Sequence, residues 1–254
     1  MKTAVIFLFS DSAFKRWLLF FLKFSLFSAL LLGIAIGIAW HLYLPDRNVS
    51  ADADTTGCTV VIDAGHGGRD GGASSDDDGT LEKHLNLAVA KKIKAVLETM
   101  GIRTVMTREE DIELASPDSS HKKADDLANR VKIANEAENS VFISIHMNKF
   151  PIEKYSGLQV YYSPNHPQSM VLAERIRTDV LSAFPQMPDR KITAGKELYL
   201  MERLEIPAIL VECGFLSNYE EKERLKTEEY QMQLAIRIAA SVMQFLAENG
   251  DALS

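Results

Sequence analysis

The chain has 254 residues, 46% hydrophobic and 25% charged, enough for one large or two small domains with a well-buried core. Its formal net charge of −7 is unevenly spread. Residues 1–44 carry Lys2, Lys15, Arg16 and Lys23 against Asp11, a net +3, so the rest of the chain carries −10. That acidity argues against general affinity for nucleic acid, and two cysteines, Cys58 and Cys213, make neither a disulfide framework nor a Cys-x-x-Cys metal site.

Residues 1–16 read as a cytoplasmic N-terminus and 17–44 as a transmembrane anchor or signal segment. Phe24–Trp40 holds no charge, and from Trp17 onward only Lys23 interrupts the apolar run. As a helix this stretch spans roughly 36 Å, against about 30 Å for a hydrocarbon core. Trp17 and Trp40 suit the two interfaces, and Lys15 and Arg16 orient the N-terminus inward, which places everything after Trp40 outside the membrane. A cleaved signal peptide would end in a small-x-small site, and the available ones lie inside the apolar run. Both alternatives export the remainder of the chain.

Residues 45–57 are polar and aperiodic, a linker. From Cys58 strand and helix patterns alternate. CTVVID is a strand, ending in a loop with glycines at 65, 67, 68, 71 and 72 around His66. Leu81–Met100 carries the stripe of an amphipathic helix, with Gly101 placed as a left-handed C-cap. Ile102–Met106 is a strand, 108–123 a polar loop, Ala124–Glu138 a helix and Val141–His146 a strand. Gly157–Tyr162 is a strand, Ser169–Phe184 a helix, Leu198–Met201 a short strand or turn, and Pro207–Glu212 a near-continuous apolar strand. Helices at Tyr219–Lys226 and Glu228–Ala247 finish the chain. This alternation predicts a single α/β layered domain over 58–254, with a mostly parallel or mixed central sheet flanked by helices.

Three of the strands end in polar residues foreign to a core: Asp63 before the His66 loop, Ser144-Ile145-His146-Met147-Asn148, and Glu212. Ligands of open α/β sheets sit at the carboxyl ends of parallel strands. Glu82 opens the first long helix, near the same edge. His66, Glu82, His146 and Glu212 can therefore converge. Two histidines and a carboxylate form a common ligand set for catalytic Zn²⁺, and a further carboxylate can take a proton from water. His84 lies about 200° around the helix from Glu82 and cannot face the same metal. Taken one by one, each residue has a duller explanation: a surface histidine, a helix-dipole glutamate, a loop cap or an ion pair.

The blocks VIDAGHGGRDGGA, LEKHLNLAVA, TRE, LANRVKIAN, SIHMN and ILVECGFLSN, in this order and spacing, resemble the zinc-dependent N-acetylmuramoyl-L-alanine amidases of bacterial cell walls. The likeness runs from about Thr59 to Phe245. It implies one Zn²⁺ per domain, held by His66, Glu82 and His146, with Glu212 as catalytic glutamate. The implied substrate is peptidoglycan, cut between N-acetylmuramic acid and L-alanine. The polar loop before LANR and the ELYLM segment are similar to germination-specific members acting on spore cortex. The chain departs from the family pattern at Lys149 and Cys213.

On that resemblance Asn148 becomes a candidate substrate donor, and Asp63 and Asp70 are candidate acceptors that orient the zinc histidines; all three also suit purely structural roles. A non-catalytic zinc-stabilised wall-binding protein and a hydrolase using Cys213 are the alternatives from other classes. The second conflicts with strand geometry, since neighbours Glu212 and Cys213 point to opposite faces. The expected partners are peptidoglycan, the membrane through the N-terminal helix, and a regulatory protein of unknown identity.

Overall fold

The computed structural model describes residues 57–249, together with Arg16, Leu19, Phe20, Phe21 and Lys23, which are helical. The chain divides into two units, Met1–Ala53 and Asp54–Ser254. The anchor expected at 17–44 and the linker at 45–57 fall largely outside the described residues. Among the described residues no helix is long and apolar enough to cross a membrane.

Among the described residues of the second unit, six strands form one sheet: β1 (Thr59–Ala64), β2 (Arg103–Met106), β3 (Ser140–Asn148), β4 (Gln159–Tyr162), β5 (Thr193–Ala194) and β6 (Ala208–Phe215). Their order is β2-β1-β3-β6-β4-β5. The first four strands in that order run parallel, while β4 is antiparallel to β6 and parallel to β5. The sheet is therefore mixed. The helices are α1 (Glu82–Thr99), α2 (Lys122–Asn135), α3 (Pro167–Ala183), α4 (Tyr199–Arg203), α5 (Tyr219–Leu225) and α6 (Glu228–Asn249).

The central strands are buried on both faces, which explains their unbroken apolar runs. One face presents Val60, Ile62, Ile143, Ile145, Ile209, Val211 and Cys213 to the larger core. α1 contributes Leu85, Val89, Ile93 and Leu97 to that core, spaced so that they share a helix face, and both α1 and α3 pack on α6. Each fully buried leucine or isoleucine stabilises by about 1.5–3 kcal/mol. Gly101 closes α1 in the left-handed region, at φ 79°, where a side chain would be strained. The opposite face carries a smaller core of Val61, Phe142, Leu210, Ala134 of α2, and Leu200 and Met201 of α4. Further along the same face, toward the carboxyl ends, the apolar cover stops and polar side chains begin.

Two expected elements are redrawn, and one strand appears that was not expected. Leu198–Met201 belongs to no strand: Tyr199–Arg203 forms a helical turn whose Leu200 and Met201 are buried in the smaller core. The two-residue strand β5 carries no apolar pattern and exists only through pairing with β4. α2 runs from 122 to 135 rather than 124 to 138, and its buried side chains include Asp126 and Arg130 as well as Ala134.

Candidate metal and catalytic site

β1, β3 and β6 run parallel, so their carboxyl ends open on one edge. The register pairs Asp63 with Ser144 and His146 with Glu212, which puts all four side chains on one face of the sheet. After Ala64 the chain turns sharply. His66 adopts φ 61°, a left-handed conformation rare outside glycine, and the loop behind it closes through paired backbone bonds between Gly67 and Asp70.

The turn aims His66 at the first residue of α1. His66 Nε2 lies 3.2 Å from Glu82 Oε2, and His146 Nδ1 lies 2.8 Å from Glu82 Oε1. The imidazoles meet edge to face, with centroids 4.9 Å apart. One donor atom from each of His66, Glu82 and His146 lies within 4.8 Å of the other two. Two neutral-capable nitrogens and a carboxylate oxygen, converging on one point, fit a divalent transition metal. Two glycines make the approach possible. A Cβ on Gly65 would sit 2.2 Å from His146 Nε2, and one on Gly72 would sit 2.5 Å from Glu82 Oε2.

Glu82 is only 4% exposed and heavily bonded. It accepts from Ala73 N (2.8 Å), Met147 N (3.2 Å) and Asn86 Nδ2 (3.1 Å). Burial pushes its carboxyl up, but the contacts with His146 and then His66 outweigh burial and hold it well below the usual carboxylate range. Burial likewise pushes His66 down, and Glu82 and then Asp70 more than compensate, leaving its pKa raised. Asp70 Oδ2 stands 2.9 Å from His66 Nδ1, an ion-pair distance without the alignment of a hydrogen bond. Asp70 also pairs with Lys123 and accepts from Gly72 N.

Asp63 does not share that placement. It is fully buried and accepts from Thr107 Oγ1 (2.7 Å), Ser144 Oγ (2.6 Å) and Arg130 Nη1 (2.5 Å), and none of its hydrogen bonds goes to an imidazole. Burial pushes the Asp63 carboxyl up, but Arg130 and the hydroxyls bring it below its ordinary value. Of the two aspartates expected to orient histidines, Asp70 reaches one and Asp63 instead anchors Arg130.

Glu212 differs from every other carboxylate of the site. Its Oε2 is buried with no hydrogen-bond partner among the described residues. Burial pushes its carboxyl up to about 7, with His146 opposing and Glu82 adding to the rise. Asn148 follows two positions after His146 on the same face, half-buried. Cys213 points to the opposite face, is 0% exposed within the larger core, and has its thiol pushed far up by burial. Cys58 and Cys213 are both buried and unpaired. A nucleophilic role for Cys213 is therefore closed off. His84 pairs outward with Asp111, and His166 caps α3 by accepting from Gln168 N.

Three supporting residues escaped the sequence-based assignment. Arg108 donates to the carbonyls of Ala64, Gly65 and Lys83, and Arg130 to those of Ala64 and His66. These two nearly unexposed guanidinium groups pin the backbone on either side of His66. Asn86 bridges Gly65 O and Glu82. Their signals were present: Arg108 and Arg130 lie inside the TRE and LANR blocks, and Asn86 is four residues after Glu82, on the same helix face. Lys149 reaches Ser74 O and Asp76 on the neighbouring loop, away from the three donor groups.

The N-acetylmuramoyl-L-alanine amidase family profile matches residues 60–244. The germination-specific N-acetylmuramoyl-L-alanine amidase of Bacillus subtilis (strain 168) is 36% identical over 199 residues, covering 77% of this chain and 83% of that protein. The CwlD amidase from Clostridioides difficile, solved in complex with the GerS lipoprotein, superposes with a TM-score of 0.71 at 34% identity, covering 75% of this chain and 98% of that one. The catalytic domain of CwlV, an N-acetylmuramoyl-L-alanine amidase from Bacillus (Paenibacillus) polymyxa var. colistinus, does so with a TM-score of 0.64 at 32% identity, over 74% of this chain and 97% of that one. With its sheet, its converging donor groups and this breadth of likeness, the chain belongs to the N-acetylmuramoyl-L-alanine amidases, enzymes acting on peptidoglycan.

Proposed function

We propose that the protein is a zinc-dependent amidase that hydrolyses the bond between N-acetylmuramic acid and L-alanine in spore cortex, outside the cytoplasmic membrane. One observation carries the catalytic part. A compact His66–Glu82–His146 donor set stands beside a carboxylate, Glu212, that has a buried oxygen with no hydrogen-bond partner among the described residues. A site serving only to bind or to stabilise has no need of that uncommitted oxygen, and burying it costs free energy.

His66 through Nε2, Glu82, and His146 through Nδ1 would hold the ion. A bound Zn²⁺ supplies Lewis acidity at the scissile carbonyl and a water whose pKa falls to about 7. Glu212 accepts the proton from the attacking water and returns it to the departing L-alanine amine, so that one side chain serves as base and then as acid. A carboxyl pushed up to about 7 by burial is suited to both directions of that transfer. Asp70 holds His66 by its Nδ1 edge, and Asn148 donates to the substrate from the same sheet face.

Glu212→Gln should lower kcat by about 10²–10⁴ while leaving zinc content, by elemental analysis, at the wild-type level. Undiminished release of L-alanine-terminated stem peptides would reject the role of Glu212. For the cellular role, the similarity to a germination-specific enzyme points to cortex, where muropeptides of a deletion strain should lack muramic δ-lactam. An unchanged cortex would reject that assignment and leave the wall-amidase assignment standing. The apolar N-terminal run is proposed as a membrane anchor, and a lipoprotein partner of the kind bound by the CwlD amidase is proposed as a regulator.

A further inference from the structure

Beside Glu212 the sheet face continues through half-buried Asn148 and Gln159 to Phe215, which is buried. A register shift between β3 and β6 pairs Asn148 with Phe215, so Phe215 joins His146, Asn148 and Glu212 on that face. On β4, Gln159 is the cross-strand partner of Glu212, and Gln159 Nε2 donates to Lys191 O at 3.0 Å. The segment holding Arg190 therefore runs along the edge of the catalytic face.

Arg190 is fixed there. Its guanidinium carbon lies 5.1 Å from the Phe215 ring centroid and 5.5 Å from that of Tyr155, and its Nε and Nη2 donate to Ser156 O. Those two bonds use two of its five N–H groups and leave three, including both on Nη1. It makes no ion pair among the described residues. Glu221, the buried carboxylate behind it, is committed to the backbone N–H groups of Gly157 and Phe215. The other side of the site differs: Arg69 and Lys122 pair with Glu113, and Lys123 with Asp70. A half-buried, stacked guanidinium with free N–H groups at the edge of the catalytic face is suited to receive a planar anion.

We propose that Arg190 is a substrate-binding residue that takes the free carboxylate of the second residue of the stem peptide. This rests on the amidase assignment above. Phe215, on which the guanidinium stacks, lies two β3 positions beyond Glu212, roughly 7 Å along the strand, a length that two extended peptide residues cover.

The test uses the zinc-loaded enzyme and two synthetic disaccharide tripeptides, identical except that the second stem residue carries a carboxylate or a carboxamide. Wild type should cleave the carboxylate form with kcat/KM higher by about tenfold or more, mostly through KM. Arg190→Gln should lose that preference by weakening the carboxylate substrate alone, and Arg190→Lys should keep part of it. In a Glu212→Gln background, calorimetric binding should show the same preference without turnover. Equal kcat/KM of wild type for both substrates would overturn the proposal even if Arg190→Gln failed to fold. An equal loss on both substrates in a folded Arg190→Gln would also overturn it, since that is the mark of a merely structural residue. Wild type inert toward both would instead reject the amidase assignment itself.

Discussion

Asp63 and Glu212 stand near the carboxyl ends of parallel strands, on the same face of one sheet, and are buried in opposite ways. Asp63 is surrounded by a guanidinium and two hydroxyls, and its carboxyl lies below the ordinary value. Glu212 has a buried oxygen without a partner, and its carboxyl is pushed up to about 7. The contrast shows how the fold separates scaffold from chemistry. On the β1 side Asp63, Arg130 and Arg108 are committed to each other and to backbone, which fixes the His66 loop in place. On the β6 side Glu212 keeps an oxygen uncommitted among the described residues, which leaves it able to act on a substrate. The same chemical group does both because environment sets the charged form's stability.

The most severe test of this contrast is to unpair the committed side. Asp63→Ala would leave the buried Arg130 guanidinium with Asp126 as its one remaining carboxylate, and should destabilise the domain by up to about 3–5 kcal/mol in denaturant unfolding. Asp63→Ala with Arg130→Met should recover part of that loss. A single variant within about 1 kcal/mol of wild type would show the pair to be incidental. The pH dependence has a definite sign. Because the folded pKa of Asp63 lies below its unfolded value of about 3.9, its contribution is present above that value and lost as pH falls through the folded pKa. Asp63→Asn should therefore be less stable near neutrality, and the gap to wild type should close on acidification below about pH 4.

A smaller effect is expected from crowding the donor groups. Gly72→Ala places a Cβ against Glu82 Oε2 and His66 Cδ2 at φ 68°, and Gly65→Ala drives one into the His146 ring. Both should cost zinc affinity, measured by competition with a chromogenic chelator, by more than Asp70→Asn does. For Asp70→Asn the expected loss is about 10–100-fold, because it removes only the anionic acceptor behind His66. Least of all, Gly79→Ala has a similar φ of 69° but nothing within 4 Å of its Cβ. It should cost about 1–2 kcal/mol of stability for the left-handed conformation and leave metal affinity unchanged. If Gly72→Ala and Gly79→Ala behaved alike, backbone strain rather than donor crowding would explain both.

Much of this was legible in the chain itself, because it rests on short-range regularities. The apolar runs of β1, β3 and β6, the stripe of α1 and the left-handed Gly101 are local patterns, and each lies within a few residues of its expected bounds. His66, Glu82, His146 and Glu212 stood out because polar residues at strand ends and in a first helical turn violate those patterns. Where the pattern was faint, it missed an element or left its form open. Two residues of β5 and the single turn of α4 have no periodicity of their own, and their form is set by the elements they pack on.

Which polar group answers which is settled only in three dimensions. Asp63 and Asp70 look alike in the Gly-rich stretch, yet Asp63 meets Arg130, 67 residues away, while Asp70 meets His66. Arg108 and Arg130 became the clamps of the loop through contacts with carbonyls that no spacing announces, and Asn86, one turn after Glu82, became its bridge from Gly65 O to that carboxylate. Hydrophobic periodicity is repeated along a segment and can be read there. A buried hydrogen bond is a single event between distant positions, and it exists only once strand order and register have brought the two ends together.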